Sequence, residues 1–286
     1  MDRLEYTTDQ DRFFDFCMWE YRPIAPCENK FRSANLLLHS FDVMQTHERV
    51  FDLVRAIRER FGILRTVWGV KQLGREIRWE FYFYDYRKRE RERSITRLLD
   101  IIRPLIPCEI KANESLDYFM FSVDIYKDLI SGGANLEEVH MYIGNAGSTV
   151  SSGICYSVTP VGTRLENLYF FFDAKTQIDL IIDKIFCSAY VDITKIDLDR
   201  ILWPELRECR VIVVANKQGN DAVYFSRINV DQLIFFMKRM GYLKELISFV
   251  EENRIKMDHL QFDVGYDYKM EGDKLEILKS GYYGIF

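Results

Sequence analysis

The sequence predicts an α+β protein: a closed antiparallel barrel of ten strands, built from repeated α-β-β-α units with the helices outside. About ten strand-like segments occur, mostly as pairs joined by short turns, and a helical pattern separates successive pairs. Hairpin-linked strands are antiparallel, whereas parallel sheets alternate single strands with helices. A sheet with this many strands tends to curl or close. If helices cover its outer face, its polar side chains project into a lumen that is wide enough for a ligand.

The stretch 78–86, R-W-E-F-Y-F-Y-D-Y, gives the clearest strand pattern. Side chains alternate between the two faces of a strand, so its residues divide into two sets. One set is apolar and is predicted to pack under helices: Trp79, Phe81 and Phe83. The other set is predicted to face the lumen: Glu80, Tyr82 and Tyr84. Because tyrosine combines an apolar ring with a polar hydroxyl, a solvent-exposed face is the alternative interpretation of the second set.

The other elements follow in chain order. Residues 1–35 read as an irregular N-terminal segment in which 11–21 is a candidate short helix, and 35–40 is a candidate strand. Strands are predicted at 63–71, 76–86, 118–125, 138–145, 154–159, 167–173, 210–215, 222–228, 260–268 and 274–285. Helices are predicted between Thr46 and Gly62, from the charged run 87–93 to Pro104, at 175–188 and at 230–253. The helix predictions are based on apolar residues at helical spacing and on Gly and Pro at the helix ends.

The bulk composition limits the classes of function. With 286 residues and 48% hydrophobic content, the chain is predicted to form one domain, 1–286. A net charge of −5 gives no reason to expect a nucleic-acid partner. The six cysteines form no C-x-x-C pair and the four histidines lack ligand spacing, so no metal site is predicted. With no signal peptide and no long apolar run, we expect a cytoplasmic protein without a membrane partner.

Three stretches carry a resemblance to a known family. They are F-G-I-L-R-T-V-W-G-V-K at 61–71, C-R-V-I-V-V-A-N-K-Q-G-N-D-A-V-Y-F-S-R-I-N at 209–229, and the closing K-S-G-Y-Y-G-I-F. With the order of elements over about residues 30–286, they resemble the ABBA-type prenyltransferases, most closely the cyanobactin enzymes that prenylate ribosomal peptides. The resemblance implies the same ten-stranded barrel with its active site in the lumen.

The resemblance also implies an activity: transfer of an isoprenoid group, dimethylallyl or longer, from an allylic diphosphate. The acceptor would be a nucleophilic side chain of a peptide or an aromatic small molecule. The prenyl diphosphate would be the co-substrate, and Mg²⁺ is an allowed cofactor. The alternative is a non-catalytic barrel that binds a hydrophobic ligand or peptide.

Each step of such a transfer implies a set of residues. Cationic groups would hold the diphosphate: Lys71, Arg78, Arg227 and Lys279, with His140. Tyrosine rings would shield the allylic cation from water: Tyr82, Tyr84, Tyr142, Tyr169, Tyr224 and Tyr282. A carboxylate would remove the acceptor proton, either Glu28 or Glu80. Arg227 shares a strand face with Val223 and Phe225, so it fits only if a bulge turns it inward.

The central strands depart from the family pattern. The strand E-V-H-M-Y-I-G-N offers His140 but no Arg or Lys, and 169–173 lacks a base. The chain would then use another donor, bind magnesium through acids such as Asp85 or Asp173, or lack catalysis. Three or more Lys or Arg heads converging on one point in the lumen would favour a diphosphate site. A lumen filled by Phe and Leu would favour a scaffold.

Overall fold

The computed structural model describes residues 3–87 and 91–286. The strands are β1 (Phe13–Phe14), β2 (Glu20–Tyr21), β3 (Val67–Leu73), β4 (Glu76–Tyr84), β5 (Tyr118–Ile125), β6 (Val139–Gly144), β7 (Ser152–Thr159), β8 (Gly162–Asp173), β9 (Val211–Lys217), β10 (Asp221–Ile228), β11 (Phe262–Glu271) and β12 (Lys274–Ile285). The helices are α1 (Ala34–Val43), α2 (Arg49–Phe61), α3 (Ile95–Ile102), α4 (Lys127–Ser131), α5 (Ile178–Phe186), α6 (Val230–Met240), α7 (Lys244–Glu252) and α8 (Arg254–Met257). No helix within the described residues is long and apolar enough to cross a membrane.

Ten of the strands close into one antiparallel barrel, in the order β10-β11-β12-β3-β4-β5-β6-β7-β8-β9. Each strand pairs with its sequence neighbour, and β10 pairs with both β9 and β11. The barrel closes where the last strand, β12, pairs with the first, β3, from Ser280↔Gln72 to Ile285↔Val67. Helices lie outside, with α1 against β3, α5 against β8 and β9, and α6 against β11. The predicted fold class is confirmed.

Strand β4 shows how the sequence orients the sheet. Trp79, Phe81 and Phe83 are fully buried under the helices, and the indole N–H of Trp79 donates to Ser40 Oγ at 2.8 Å. Burying such a ring contributes about 1.5–3 kcal/mol to folding. Glu80, Tyr82 and Tyr84 face the bore, as predicted. The apolar half of the pattern therefore sets the direction of the whole strand.

Two local predictions near the N-terminus are wrong. Residues 11–21 form no helix, because the Asp15 carboxylate accepts the backbone N–H groups of Cys17 and Trp19 and folds the chain into a turn between β1 and β2. Residues 35–40 lie in helix α1 and not in a strand. That run is apolar on several sides, and a short buried helix cannot be told from a buried strand by periodicity. The charged run 87–93 lies partly outside the described residues, and α3 begins at Ile95.

A buried histidine links the N-terminal segment to the barrel. His259 is fully buried, its ring meets Phe13 edge-on at 5.5 Å, and neither ring nitrogen has a hydrogen-bond partner among the described residues. Burial and the nearby Lys30 ammonium lower the pKa of His259 to about 4. The fold therefore favours the neutral ring.

This histidine predicts an acid-sensitive stability. Because the pKa of His259 is lowered from 6.5 to about 4, its contribution is complete above pH 6.5 and is lost as the pH falls toward 4. We expect His259→Leu to lose less stability than the parent between pH 7 and pH 5, measured by urea unfolding. The exposed His47, changed to Gln, is the control and should follow the parent. Equal pH slopes for all three proteins would contradict the prediction.

Candidate functional site

The inward-facing side chains divide the bore into two compartments. One end holds an apolar chamber of about 280 Å³, and the other holds a polar pocket of about 110 Å³. Aromatic side chains form most of the chamber wall, among them Phe16, Trp19, Tyr84, Tyr86, Phe119 and Phe171. Six charged side chains line the polar pocket together with His140: Lys71, Lys217, Lys279, Glu80, Asp124 and Asp267. The bore is thus neither empty of charge nor filled by Phe and Leu.

Five tyrosines border both compartments and form what we call the tyrosine girdle: Tyr82, Tyr142, Tyr169, Tyr224 and Tyr283. Each ring lies beside the next, with centroid separations of 6.5, 5.8, 6.3, 6.4 and 6.1 Å around the circle. The girdle is therefore a closed circle of aromatic rings around the bore. Burial is the main cause that raises the pKa of these phenols, so they stay protonated.

Glycines on neighbouring strands make room for two of these rings. Gly265 is paired with Tyr224 in the sheet, and a Cβ there would lie 2.1 Å from the Tyr224 ring. Gly69 is paired with Tyr283, and a Cβ there would lie 2.6 Å from that ring. Contacts that short do not occur between real atoms. Each glycine therefore fixes where its tyrosine ring lies across the bore.

Lys71 anchors one side of the polar pocket. Its ammonium group forms ion pairs with Glu80 and, at 2.8 Å, with Asp124. Burial alone would lower the pKa of Lys71, but the two carboxylates outweigh it and raise the pKa above its ordinary value. For Asp124, burial is in turn outweighed by Lys71, and its pKa is lowered. Lys71 is therefore charged throughout the physiological range.

Lys217 and Lys279 share a carboxylate on the other side of the pocket. Asp267 pairs with Lys217 at 2.8 Å and with Lys279 at 3.4 Å. Lys217 also lies 3.2 Å from the Tyr224 hydroxyl, at the edge of the girdle. The nearby Lys217 ammonium, followed by burial, lowers the pKa of Lys279. An anion bound between the two ammonium groups would relieve that repulsion.

The charges in the pocket balance. Three lysines face three carboxylates, Glu80, Asp124 and Asp267. His140 also lines the pocket, and its Nε2 lies 3.7 Å from Glu138. An incoming polyanion would therefore have to take lysine contacts from carboxylates that already hold them.

Glu80 connects the pocket to the girdle. Besides pairing with Lys71, it accepts the hydroxyl of Tyr82 at 2.8 Å and that of Tyr283 at 3.5 Å. Its two tyrosine partners line both compartments. Glu28, the other predicted base, is exposed on the N-terminal segment. Hydrogen bonds from Thr7 to the carbonyls of Cys27 and Lys30 hold that part of the chain outside the bore.

Two of the predicted cationic residues lie outside the pocket. Arg78 is on the inward face of β4 but near the strand end, where it pairs with Glu76 at 2.8 Å. Arg227 lies at the opposite end of the barrel and pairs with Asp15 at 2.8 Å. A bulge does occur in β10 at this point, and Arg227 has a positive φ of 65°. That conformation turns its side chain toward the N-terminal segment and not into the lysine cluster.

The structure differs from the sequence prediction at one tyrosine and adds one lysine to the site. Tyr282 packs outward against Tyr242 at 5.3 Å, and its neighbour Tyr283 faces the bore. Lys279 and Tyr282 have opposite parity in β12, so they cannot share a face without a bulge between them. Lys217 was missed because the predicted strand ended at residue 215, whereas β9 continues to 217. Tyr84 faces the chamber but lies outside the girdle.

The two acids considered for magnesium lie away from the pocket. Asp85 pairs with Arg91 at 3.3 Å, and Asp173 accepts hydrogen bonds from the Thr176 backbone and hydroxyl at 3.0 Å. Across residues 3–87 and 91–286, no three His, Cys, Asp or Glu side chains are grouped so as to hold a metal ion. These residues do not fit a protein-bound magnesium ion, and we assign it no step.

Comparison with known proteins gives no family. No protein-family model matches the chain, and no curated protein matches it. The interpretation of the site therefore depends on its own geometry: a lysine pocket, a circle of tyrosines and an apolar chamber, arranged in that order along one bore.

Proposed function

We propose that this protein transfers an isoprenoid group from an allylic diphosphate to an aromatic or peptide acceptor inside the barrel. The observation that carries the proposal is the tyrosine girdle between a lysine pocket and an apolar chamber. An allylic diphosphate has the same division, with a polyanionic head joined to a hydrocarbon chain. The head would bind Lys71, Lys217 and Lys279, and the reactive carbon would lie within the girdle.

The girdle suits the ionisation step. The bond between the allylic carbon and the diphosphate oxygen breaks, and the diphosphate leaves with the electron pair, stabilised by the three ammonium groups. The π faces of the tyrosines stabilise the resulting cation, and their rings exclude water that would quench it. Since their phenols stay protonated, the girdle tyrosines do not act as anionic nucleophiles.

The acceptor would approach from the apolar chamber. Its nucleophilic atom forms the new bond to the allylic carbon, and the proton that it loses goes to a carboxylate. Glu80 is the proposed base because it contacts both Lys71 and the girdle. A diphosphate that pairs with Lys71 would take that ammonium group from Glu80 and leave the carboxylate free to accept the proton.

The second candidate function is a non-catalytic barrel for an apolar ligand. The balance of three lysines and three carboxylates favours it, because such a pocket has no surplus positive charge for a polyanion. In that case the chamber would bind hydrophobic ligands or peptides, and the charged pocket would serve stability alone.

The two functions separate in one set of measurements. The purified protein is incubated with dimethylallyl and geranyl diphosphates and a panel of aromatic compounds and peptides, and products are read by mass spectrometry. Calorimetry then compares dimethylallyl thiolodiphosphate with the corresponding alcohol. Transfer, with tighter binding of the diphosphate analogue, supports the proposal. No transfer, with the alcohol bound as tightly as the analogue, overturns it and supports the ligand-binding barrel.

A further inference from the structure

The apolar chamber is closed by a segment that is not part of the barrel. Residues 13–21, which we call the strap, contain β1, a turn and β2. In the described part of the chain, their backbone-to-backbone hydrogen bonds stay within the strap. The strap is held to the barrel through side chains instead, which makes it separable from the barrel without breaking the sheet.

The strap supplies part of the chamber wall. Phe16, Cys17 and Trp19 line the chamber, and the Phe16 ring lies 6.4 Å from Tyr283 of the girdle. Cys17 is buried, whereas Trp19 is 42% exposed. The strap is therefore the layer between the chamber and solvent at this end of the bore.

A cluster of two buried carboxyl groups and one arginine holds the strap in place. Asp15 accepts Arg227 Nε at 2.8 Å, and Arg227 also donates to the carbonyls of Trp19 and Glu20. From the barrel, Asp263 accepts the Phe16 N–H at 2.8 Å and the Arg227 N–H at 3.1 Å. We call these three residues, Asp15, Arg227 and Asp263, the latch.

The latch holds the strap at a cost. Asp15 and Asp263 are both almost fully buried. The Arg227 guanidinium pairs with Asp15, whereas Asp263 accepts the Arg227 backbone N–H. Burial, followed by the Asp15 charge, raises the pKa of Asp263 to about 8. Arg227 adopts a positive φ of 65°, which is uncommon for a residue other than glycine. These unfavourable terms reduce the net stability of the closed strap.

Two tyrosines also hold the strap through hydrogen bonds: Tyr84, the last residue of β4, and Tyr86, just after it. The Tyr84 hydroxyl donates to the Phe16 carbonyl, and the Tyr86 hydroxyl donates to the Cys17 carbonyl at 2.7 Å. Tyr86 is half exposed and stacks on Phe119. Its hydroxyl bond can therefore be removed without disturbing the barrel core.

We propose that the strap is a gate through which the acceptor reaches the apolar chamber. This inference rests on the proposed function. The diphosphate reaches the lysine pocket from the other end, where the side chains of Lys279 and Asp124 are 32% and 31% exposed. The acceptor must then meet the allylic carbon from the chamber side, and the strap covers that route.

Alkylation of Cys17 measures opening directly and needs no turnover. Iodoacetamide labelling of each cysteine is followed by peptide mass spectrometry, with exposed Cys187 as the fast reference and buried Cys209 as the reference for global unfolding. Burial raises the pKa of the Cys17 thiol, so the closed strap protects it. Arg227→Met removes the latch cation, and labelling of Cys17 should accelerate by more than about tenfold.

The second variant is milder and keeps the fold. Tyr86→Phe removes one hydroxyl bond, and Cys17 labelling should accelerate by roughly two- to tenfold. There are two controls. Arg210→Met changes an exposed guanidinium that pairs with Asp173. Tyr190→Phe removes a hydroxyl that donates to the Gln218 carbonyl and has no bond to the strap. Both should label as the parent does.

The outcomes are decisive in each case. Faster labelling of Cys17 with unchanged Cys209 in both variants supports the gate. If Arg227→Met also exposes Cys209, the variant unfolds, and Tyr86→Phe decides. Labelling of Cys17 no faster than in the matched controls overturns the gate. Because labelling is independent of transfer, a protein with a working gate and no transfer activity would refute the proposed function alone.

Discussion

Changing Lys217 to methionine should weaken the binding of dimethylallyl thiolodiphosphate by roughly ten- to a hundredfold, since a charge-assisted hydrogen bond contributes about 1.5–3 kcal/mol. Lys217 lies between the Tyr224 hydroxyl and Asp267, so it is the lysine closest to the boundary of pocket and girdle by these contacts. If that contact tightens as the diphosphate leaves, the transfer rate should fall by a similar factor. Calorimetry measures the first effect and single-turnover kinetics the second.

The matched control is Arg78→Met. Arg78 is also a cation on an inward strand face, but it pairs with Glu76 at the rim and lies outside the pocket lining. Its replacement should leave binding unchanged. In Lys217→Met, Asp267 keeps Lys279 and Asn220 as partners. Adding Asp267→Asn removes the carboxylate that has lost an ammonium partner, so weak binding by this folded double variant would not come from an unpaired charge. Wild-type affinity in folded Lys217→Met would show that the diphosphate site lies elsewhere.

Much of the barrel could be predicted because its outer face follows simple rules. On β4, three bulky aromatics alternate with polar residues, and burial of the aromatics leaves only one orientation for the strand. The hairpin order of the strands then determined the antiparallel sheet. Closure required only that the last strand meet the first, which Ile285↔Val67 satisfies.

The errors arose where local pattern and tertiary environment disagree. Helix α1 packs between β3 and α7, so more than one of its sides is buried. Residues 35–40 are accordingly apolar on several sides and lack the one-sided period of a surface helix. Residues 11–21 contain helix-spaced aromatics, but Asp15 binds the backbone of its own turn and competes with a helix. Neither outcome follows from spacing alone.

The candidate site was predicted by type more accurately than by position. A tyrosine-lined bore was expected, yet Tyr283 and not Tyr282 faces it. The bounds of this strand were predicted correctly, and Tyr283 has the same parity in β12 as the inward-facing Lys279. Lys217 could have been found by extending the alternation of Val213 and residue 215 by one step. The pairing of Lys71 with Asp124 and of Lys217 with Asp267 could not be predicted, because each pair joins strands that are not neighbours in the sequence. Gly265 was a further unused signal, since a glycine inside a strand often marks a close approach.

Changing Gly265 to alanine should destabilise the protein by about 1–3 kcal/mol, because its new methyl would overlap the Tyr224 ring. The Cβ would lie 2.1 Å from that ring, so either the ring moves or the strands separate. A displaced Tyr224 opens the girdle, and transfer should then yield hydrolysed prenyl alcohol at the expense of the prenylated acceptor. The midpoint temperature of thermal unfolding should fall by about 2–4 °C for each kcal/mol of stability lost.

The control for this change is Gly219→Ala, at a turn where no atom lies within 4 Å of the added Cβ. It should match the parent in stability and in product ratio. Adding Tyr224→Val to Gly265→Ala removes the ring that causes the overlap, so the double variant should recover stability but not the product ratio. The double variant therefore separates two effects of Tyr224. A smaller side chain relieves its overlap with the new methyl, whereas shielding of the cation requires its aromatic face. If the double variant restored both, or Gly265→Ala matched Gly219→Ala, the girdle would have no part in excluding water.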